Sequence, residues 1–272
     1  MTELIVHRQS SILTYVKCGE RYRRRYIENE IRPPGVRLHR GSGVHAGAKS
    51  NFRQKVESHE DMKAQDIVDI SVAAFDDRVK AEGVTLSPDE KSRGQGIIVG
   101  EERDRVDRLS RLQAEDFAPI IQPVSVEQTI EADFPSKGFK LHGTLDLKDT
   151  RQVVVDIKSS VRKRSKGDQH KDFQLTMYSA LDFTLHKKMP AGAELVVLVD
   201  KKSGAEVQVL PTTRTAQDFE AWFRYIETVH NGIRKGVFPP ADKSNWWCSP
   251  KWCGYWFDCP YWSDSERARV IN

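Results

Sequence analysis

The 272-residue chain reads as a mixed α/β protein, a small mixed sheet with helices packed on it. Three observations predict this. Residues 141–147 and 153–159 are runs of strand-forming residues on either side of the polar segment 148–152, the pattern of a β-hairpin. Residues 194–200 and 206–210 form a second such pair, joined at 201–205. Residues 171–185 and 215–235 are amphipathic at helical spacing, and Phe219, Trp222, Phe223 and Ile226 make a core stripe on the second.

A chain of this length can bury a sizeable core as one large domain. Its 43 Lys and Arg against 39 Asp and Glu leave a formal charge of only +4, so the basic residues act through local clusters. That argues for a track along an anionic polymer rather than a wholly cationic protein. No apolar run is long enough to span a bilayer, and MTELIVHRQS lacks the basic-then-apolar order of a signal peptide. The expected location is cytoplasmic, with no membrane contact and with the four cysteines reduced unless they hold a metal.

Taken in order, Ser10 or Ser11 is positioned to cap a first helix that runs through Tyr15 and the cluster Arg21, Arg23, Arg24, Arg25, with Cys18 inside it. Guanidinium groups interleaved with tyrosines suit phosphate and base contact, although a solvated helix face explains the charge equally well. Pro33-Pro34-Gly35 breaks that helix, and Gly41-Ser42-Gly43 leads into a second one beginning near Val44, with His45 at its start. A lone histidine is more often structural than a ligand. Residues 46–117 are polar and charged, with Ile67, Val68, Ile70, Val72 and Phe75 at partly helical spacing; 82–96 reads as a loop and 97–112 as a further helix. Residues 124–134 alternate as a strand that 135–138 ends. Glu127 is the one acid there that could join a metal shell, but a strand with one face in water would carry Glu127 and Glu131 in any case.

The 141–160 hairpin holds the chemistry. Asp156 and Lys158 are two apart on a strand and so share a face, with Ile157 on the other. With the turn centred near Arg151, Asp146 and Asp156 face each other with Cβ atoms roughly 4.5–5.5 Å apart. Like charges so placed are destabilising, and more so on a buried strand such as Val153-Val154-Val155. A hard divalent cation, Mg²⁺ or Mn²⁺, removes the difficulty. The plainer alternative is an exposed hairpin with a Lys–Asp surface pair. Arg162, Lys163, Arg164 and Lys166 follow in a basic loop, either a solvated turn or a phosphate contact beside the carboxylates. In the aromatic tail 245–260 lie Cys248, Cys253 and Cys259, which with Cys18 suggest a metal or cluster. A structural Cys₄ zinc site usually shows two close pairs rather than one cysteine and three.

Gly143-Thr144-Leu145-Asp146 followed by Asp156-Ile157-Lys158 resembles the core motif of PD-(D/E)xK nucleases. The Q-x-x-x-Y pair Gln174 and Tyr178, and the G-x-x-x-H element from Gly41 to His45, are similar to the RecB-like branch of that superfamily. The one-plus-three cysteine layout resembles its cluster-bearing members, among them AddB-type recombination nucleases, CRISPR-associated adaptation nucleases and phage exonucleases. The resemblance implies a restriction-endonuclease-like core over residues 1–272, with a helical insert at 46–117. It also implies a cysteine region at 245–262 joining the N- and C-terminal ends, with Cys18, at a [4Fe–4S] cluster. It further implies a metal-dependent DNase, most simply an exonuclease on DNA ends or single strands in recombination, repair or phage DNA processing, working beside a helicase, recombinase or integrase. His45, Asp146, Asp156 and the carbonyl of Ile157 would then hold Mg²⁺ or Mn²⁺; Lys158 would position or activate water, with Gln174 and Tyr178 in support. Arg21, Arg23, Arg24, Arg25, Arg162, Lys163, Arg164 and Lys166 would contact DNA. A structure-specific endonuclease and a catalytically silent DNA-binding or complex-forming module of the same fold are the alternatives. The spacing C-x₄-C-x₅-C departs from the family's C-x₂-C-x₅-C, which keeps structural zinc as the alternative to iron.

Overall fold

The computed structural model describes residues 4–271. A short strand, β1 (Ile5–His7), leads into α1 (Gln9–Lys17). Cys18 has extended backbone, ends α1 and caps α2 (Gly19–Tyr22) by accepting the Arg21 N–H at 3.4 Å. The single helix expected here is therefore two, with Cys18 at the break rather than inside. A π-helical turn, Arg23–Ile27, follows. The next helix, α3 (Val36–Ser58), begins directly after Gly35 and runs through Gly41, Gly43 and Gly47, so its start is not near Val44. The glycines serve close approach, not helix breaking. A Cβ on Gly47 would lie 2.0 Å from Ser71 Oγ and 2.6 Å from the Ile67 carbonyl oxygen, both on α4 (Ala64–Glu82).

The expected loop at 82–96 contains α5 (Pro88–Arg93), whose capping box pairs Ser87 with Glu90. After α6 (Gln95–Leu112) come β2 (Pro123–Phe134), β3 (Phe139–Asp149) and β4 (Val153–Ser160). The chain continues through α7 (Asp168–Lys171), α8 (Phe173–His186), β5 (Gly192–Lys201), β6 (Gly204–Thr212), α9 (Ala216–Arg234) and α10 (Asp264–Ile271). Thr215 caps α9 with Asp218 closing the box.

The six strands of the described residues form one mixed sheet. β2 runs antiparallel along one side of β3, from the Pro123–Asp149 pair to Phe134–Phe139. The other side of β3 is shared: β1 pairs in parallel at Phe139, Lys140 and Leu141, and β4 pairs antiparallel at Leu147 and Lys148. Between those two pairings lies the stretch that carries Gly143 and Asp146. β4 and β5 are parallel, joined across α7 and α8, and β6 closes the far edge antiparallel to β5.

Each face of the sheet buries its own core. On one side Ile12, Leu175, Leu181, Ile226 and Ile233 of α1, α8 and α9 cover Leu141, Leu145, Leu195 and Val197. On the other, Val44, Phe52, Phe75, Val106 and Leu109 of α3, α4 and α6 cover Leu147, Val155, Ile157, Val196 and Leu198. The run Leu195–Val199 is apolar at every position because β5 is buried on both faces. The helices of the 46–117 region thus form one whole layer on the sheet, and α3 is tied to α6 by the buried Arg40–Glu102 pair at 2.7 Å.

The chain beyond α9 returns to α1 and α2. Gly19 donates its N–H to the Pro239 carbonyl at 2.7 Å, and a Cβ there would lie 2.5 Å from the Phe238 carbonyl carbon. Arg24, buried, joins Asp258 at 2.6 Å, and Trp247 Nε1 donates to the Lys17 carbonyl at 3.2 Å.

Helix glycines with opposite surroundings make a signed test of this packing. A Cβ on Gly100, in α6, would meet nothing within 4 Å. Gly100→Ala should stabilise by up to about 1 kcal/mol through helix propensity. Gly47→Ala should instead destabilise by about 1–3 kcal/mol, because overpacking against α4 outweighs that gain. Urea titration of both variants checks the pair of signs.

Candidate active site

The pairs Leu147–Val155 and Lys148–Val154 set a register that brings Asp146 opposite Asp156. The ladder stops there. The Ile157 N–H donates to Asp146 Oδ2 at 2.8 Å, so a carboxylate takes the place of a backbone acceptor and the two strands part at the site. Asp156 is fully buried. Its Oδ1 accepts from Lys158 Nζ at 2.8 Å, and its buried Oδ2 has no partner among the described residues. Lys158 Nζ also donates to Gln174 Oε1 at 2.9 Å, and Gln174 Nε2 donates to the Tyr178 hydroxyl at 2.7 Å. Gln174 and Tyr178 share one face of α8, as their spacing of four requires.

His45, on α3, places Nδ1 3.7 Å from Asp146 Oδ2. Among the described residues, His45, Glu127 and Asp146 are the group of three whose ligand atoms all lie within 4.8 Å of one another. This group differs from the expected set in one place. Glu127, explained from sequence as a solvent-facing acid, belongs to the compact donor group, whereas Asp156 does not. The reason is backbone: Glu127 stands between Val126 and Gln128, which pair with Leu147 and Leu145, yet it has φ 49° and breaks the strand's alternation. A non-glycine residue held in the left-handed region costs on the order of 1 kcal/mol or more. Glu131, by contrast, faces outward and pairs with Lys140 at 2.9 Å and His142 at 3.0 Å. The fit of Asp156 to a cation rests on its orphaned buried oxygen.

Burial pushes the Asp156 carboxyl up to about 7; Lys158 opposes that shift and the nearby Asp146 carboxylate adds to it. For Lys158, burial pulls the ammonium down, but the carboxylates of Asp156 and Asp146 outweigh it and hold the group above its usual value. Burial, reinforced by the same two carboxylates, raises the Tyr178 phenol as well. The site therefore contains a charged lysine, a neutral phenol and a carboxyl poised near neutrality.

A groove of about 510 Å³ opens over these groups, lined by Arg37, His45, Lys49, Arg78, Glu127 and Lys158 among others. Arg37, Gly41, His45 and Lys49 recur every four residues and form one face of α3. That periodicity is present in the sequence; a helix start placed near Val44 conceals it. Lys49 Nζ lies 3.5 Å from Glu127.

The remaining expected residues divide. Arg23 binds Glu20 at 2.8 Å and also Glu28, while buried Arg24 binds Glu30 and Asp258, both at 2.6 Å. These two arginines hold acidic partners and are not free for phosphate, which corrects the expectation for them. Lys163 pairs with Glu206 at 3.0 Å, and the Gln208 side chain bonds both the N–H and the carbonyl of Arg164. The loop is thereby fixed, with the side chains of Arg162, Arg164 and Lys166 free of ion pairs among the described residues. Cys18, Cys248, Cys253 and Cys259 all line one small cavity of about 30 Å³ with Trp247, Trp256 and Trp262. Burial raises the thiols of Cys253 and Cys259.

A stability measurement follows from Asp156. In metal-free protein the unfolded carboxyl, near 3.8, ionises first, while the folded one waits until about 7. Between those values the native state binds more protons, so stability falls as pH rises through the window, by an amount on the order of a few kcal/mol. Asp156→Asn should remove this part of the slope. Urea titrations of both proteins in EDTA from pH 4 to pH 8 should show their stabilities converging at the acid end, and parallel curves would overturn the assignment.

A family model described as the PD-(D/E)XK nuclease superfamily matches residues 9–262. Among solved structures, an exonuclease candidate from Eubacterium rectale aligns with a TM-score of 0.55 at 9% identity, over 97% of this chain and 90% of its own. At that identity the likeness is one of fold. The structure of SSO0001 covers 96% of this chain and 88% of its own at 16% identity, with a TM-score of 0.42 that carries no argument. No curated protein matches the chain.

Proposed function

The chain belongs to the PD-(D/E)XK nuclease superfamily, and from that premise we propose that it is a divalent-metal-dependent DNA nuclease, an exonuclease acting on DNA ends or single strands. The observation that carries this is the meeting of four groups from four elements: His45 of α3, Glu127 of β2, Asp146 of β3 and the Asp156–Lys158 pair of β4. Acids arranged this way repel one another until a cation neutralises them. The donor set of carboxylate oxygens and one imidazole suits Mg²⁺ or Mn²⁺. His45, Glu127 and Asp146 would hold the ion, with the unpartnered Asp156 oxygen as a further donor. When bound, the ion supplies Lewis-acid polarisation of the scissile phosphate and neutralises charge developing on it.

The protein's own contribution centres on Lys158. An ammonium has three N–H donors; two are spent on Asp156 and Gln174, which leaves one directed by elimination toward the groove that Lys158 lines. Held charged, Lys158 orients the attacking water or a phosphate oxygen and does not act as its base. Gln174 fixes the lysine and Tyr178 fixes Gln174, so the helix face sets the angle of that remaining donor. Arg37 and Lys49, with Arg78 beside its partner Glu82, line the groove, and the basic 162–166 loop follows the end of β4 that carries Lys158 and Ser159. The exonuclease description of the fold relative from Eubacterium rectale supports a preference for ends.

Incubating protein with end-labelled linear, circular and single-stranded DNA in Mg²⁺, Mn²⁺ or EDTA tests activity, metal need and end dependence together. Asp146→Ala and Lys158→Ala should each lower cleavage by at least roughly 10²-fold, and Gln174→Ala by roughly 10-fold or more, with folding retained. Full activity in both of the first two variants would sink the site assignment.

We also infer that the four cysteines hold a [4Fe–4S] cluster. All four thiols line one cavity walled by tryptophans, which fits a thiolate-ligated group shielded from water. The thiol set takes one cysteine from near the start of the chain and three from near its end, the one-plus-three order rather than the two close pairs usual for a structural zinc site. The protein should purify brown with absorbance near roughly 400 nm. Cys18→Ser should lose that colour and lower the thermal midpoint; a colourless protein with stoichiometric zinc would replace iron with the alternative.

A further inference from the structure

A second cavity, of about 300 Å³, lies between the Pro33-Pro34-Gly35 turn, the start of α3 and the cysteine-bearing tail. Its walls combine the two chemistries of a nucleotide. Trp252, 40% exposed, and the ring of Tyr255 stand on the tail side. Facing them are Arg21, Arg25 and Arg37, none of which makes an ion pair among the described residues. Arg21 Nε is buried without a hydrogen-bond partner among the described residues. The Arg37 guanidinium lies over the Trp252 ring, 5.3 Å from its centroid, and Arg25 over Tyr26 at 5.7 Å. The first turn of α3, 23 residues long, enters the same cavity with no side-chain cap and no acid to offset its dipole. Arg32 is occupied by Glu30 and Asp258, and the one acid in the wall, Glu90, is bound to the Ser87 N–H at 2.9 Å.

Arg37 and Leu38 line both this cavity and the groove over the carboxylates, so the two adjoin at the N-terminal end of α3. We propose that this cavity is a nucleotide subsite that receives one unpaired base of the substrate strand, stacked on Trp252, with its phosphate held by Arg25, Arg37 and the first turn of α3. The proposal rests on the nuclease reading and names its substrate at this point as single-stranded. The volume is at the small end of ligand cavities and accommodates one nucleotide, not a duplex. A base already paired and stacked offers no free face to an indole, whereas an unpaired one does. Exposure of a tryptophan beside unpaired arginines, which would be a liability on an idle surface, then has a use.

Fluorescence anisotropy in EDTA separates binding from cleavage. The probes are a labelled oligothymidylate, the same strand with abasic sites throughout, and a duplex of equal length. Trp252→Ala should weaken oligothymidylate binding roughly tenfold while leaving the abasic strand and the duplex unchanged, because only the stacked base is lost. Trp252→Tyr should keep most of the affinity, which excludes a folding defect as the cause. Arg25→Gln with Arg37→Gln should weaken both single strands and reduce the slope of log affinity against log salt by about 0.7, the share of the one phosphate they hold. Wild-type affinity in Trp252→Ala, or an equal loss on strand and duplex, would overturn the subsite. If wild type cleaves nothing yet its strand binding depends on Trp252, the nuclease reading fails and the subsite stands; if it cleaves and Trp252→Ala binds normally, the subsite alone fails.

Discussion

One hydrogen bond organises the site: the Ile157 N–H donating to Asp146 Oδ2. In an unbroken antiparallel pair that N–H would face a backbone carbonyl of β3, and Asp146 would simply oppose Asp156. By accepting it, Asp146 ends the ladder, leaves β3 free to pair with β1 further along, and opens a gap between β3 and β4 inside the sheet. The neighbouring Asp156 is consequently buried with one oxygen satisfied by Lys158 and the other without a partner among the described residues. Burying a carboxylate so incompletely is costly. The fold tolerates it because both faces of the sheet carry large apolar cores that hold β4 in place whatever its charges prefer.

A second constraint acts at the chain's two ends. Gly19 meets Pro239 with no room for a side chain, Arg24 and Arg32 converge on Glu30 and Asp258, and the Tyr255 hydroxyl donates to the Glu30 carbonyl. These contacts bring Cys18 to the cavity lined by the three late cysteines without any covalent link. The arginine cluster, which from sequence suits nucleic acid, is thus divided in two. Arg23 and Arg24 work inward as clamps, and Arg21 and Arg25 line the aromatic cavity.

Much of this is legible in the sequence because it rests on period-2 and period-3.6 patterns. The hairpin register about Arg151, the Gln174–Tyr178 face and the apolar stripe of the last long helix are direct readings of spacing. What escapes has no such signal. β1 is three residues long and exists only because β3 has a free edge to pair with. The start of α3 is hidden because glycine is ordinarily a helix breaker, whereas Gly43 and Gly47 are set by the closeness of α4, a fact about another element. Glu127 is ambiguous because its role depends on one left-handed residue inside a strand, which no alternation pattern encodes.

The correction at α3 alters the reading of the whole site. A helix beginning at Val36 places Arg37, Gly41, His45 and Lys49 in one line, and that line passes from the aromatic cavity to the carboxylates. Gly41 lies over Ser159, whose Oγ would be 3.7 Å from a Cβ there, just after Lys158. Arg21 and Arg25 line the aromatic cavity at one end of this path, and the 162–166 loop follows the end of β4, whose Lys158 and Ser159 line the groove. Charge along such a path is effective at holding a polyanion only if its direction is fixed. Here the buried Arg40–Glu102 pair, anchoring α3 to α6 beside Ser159, fixes it.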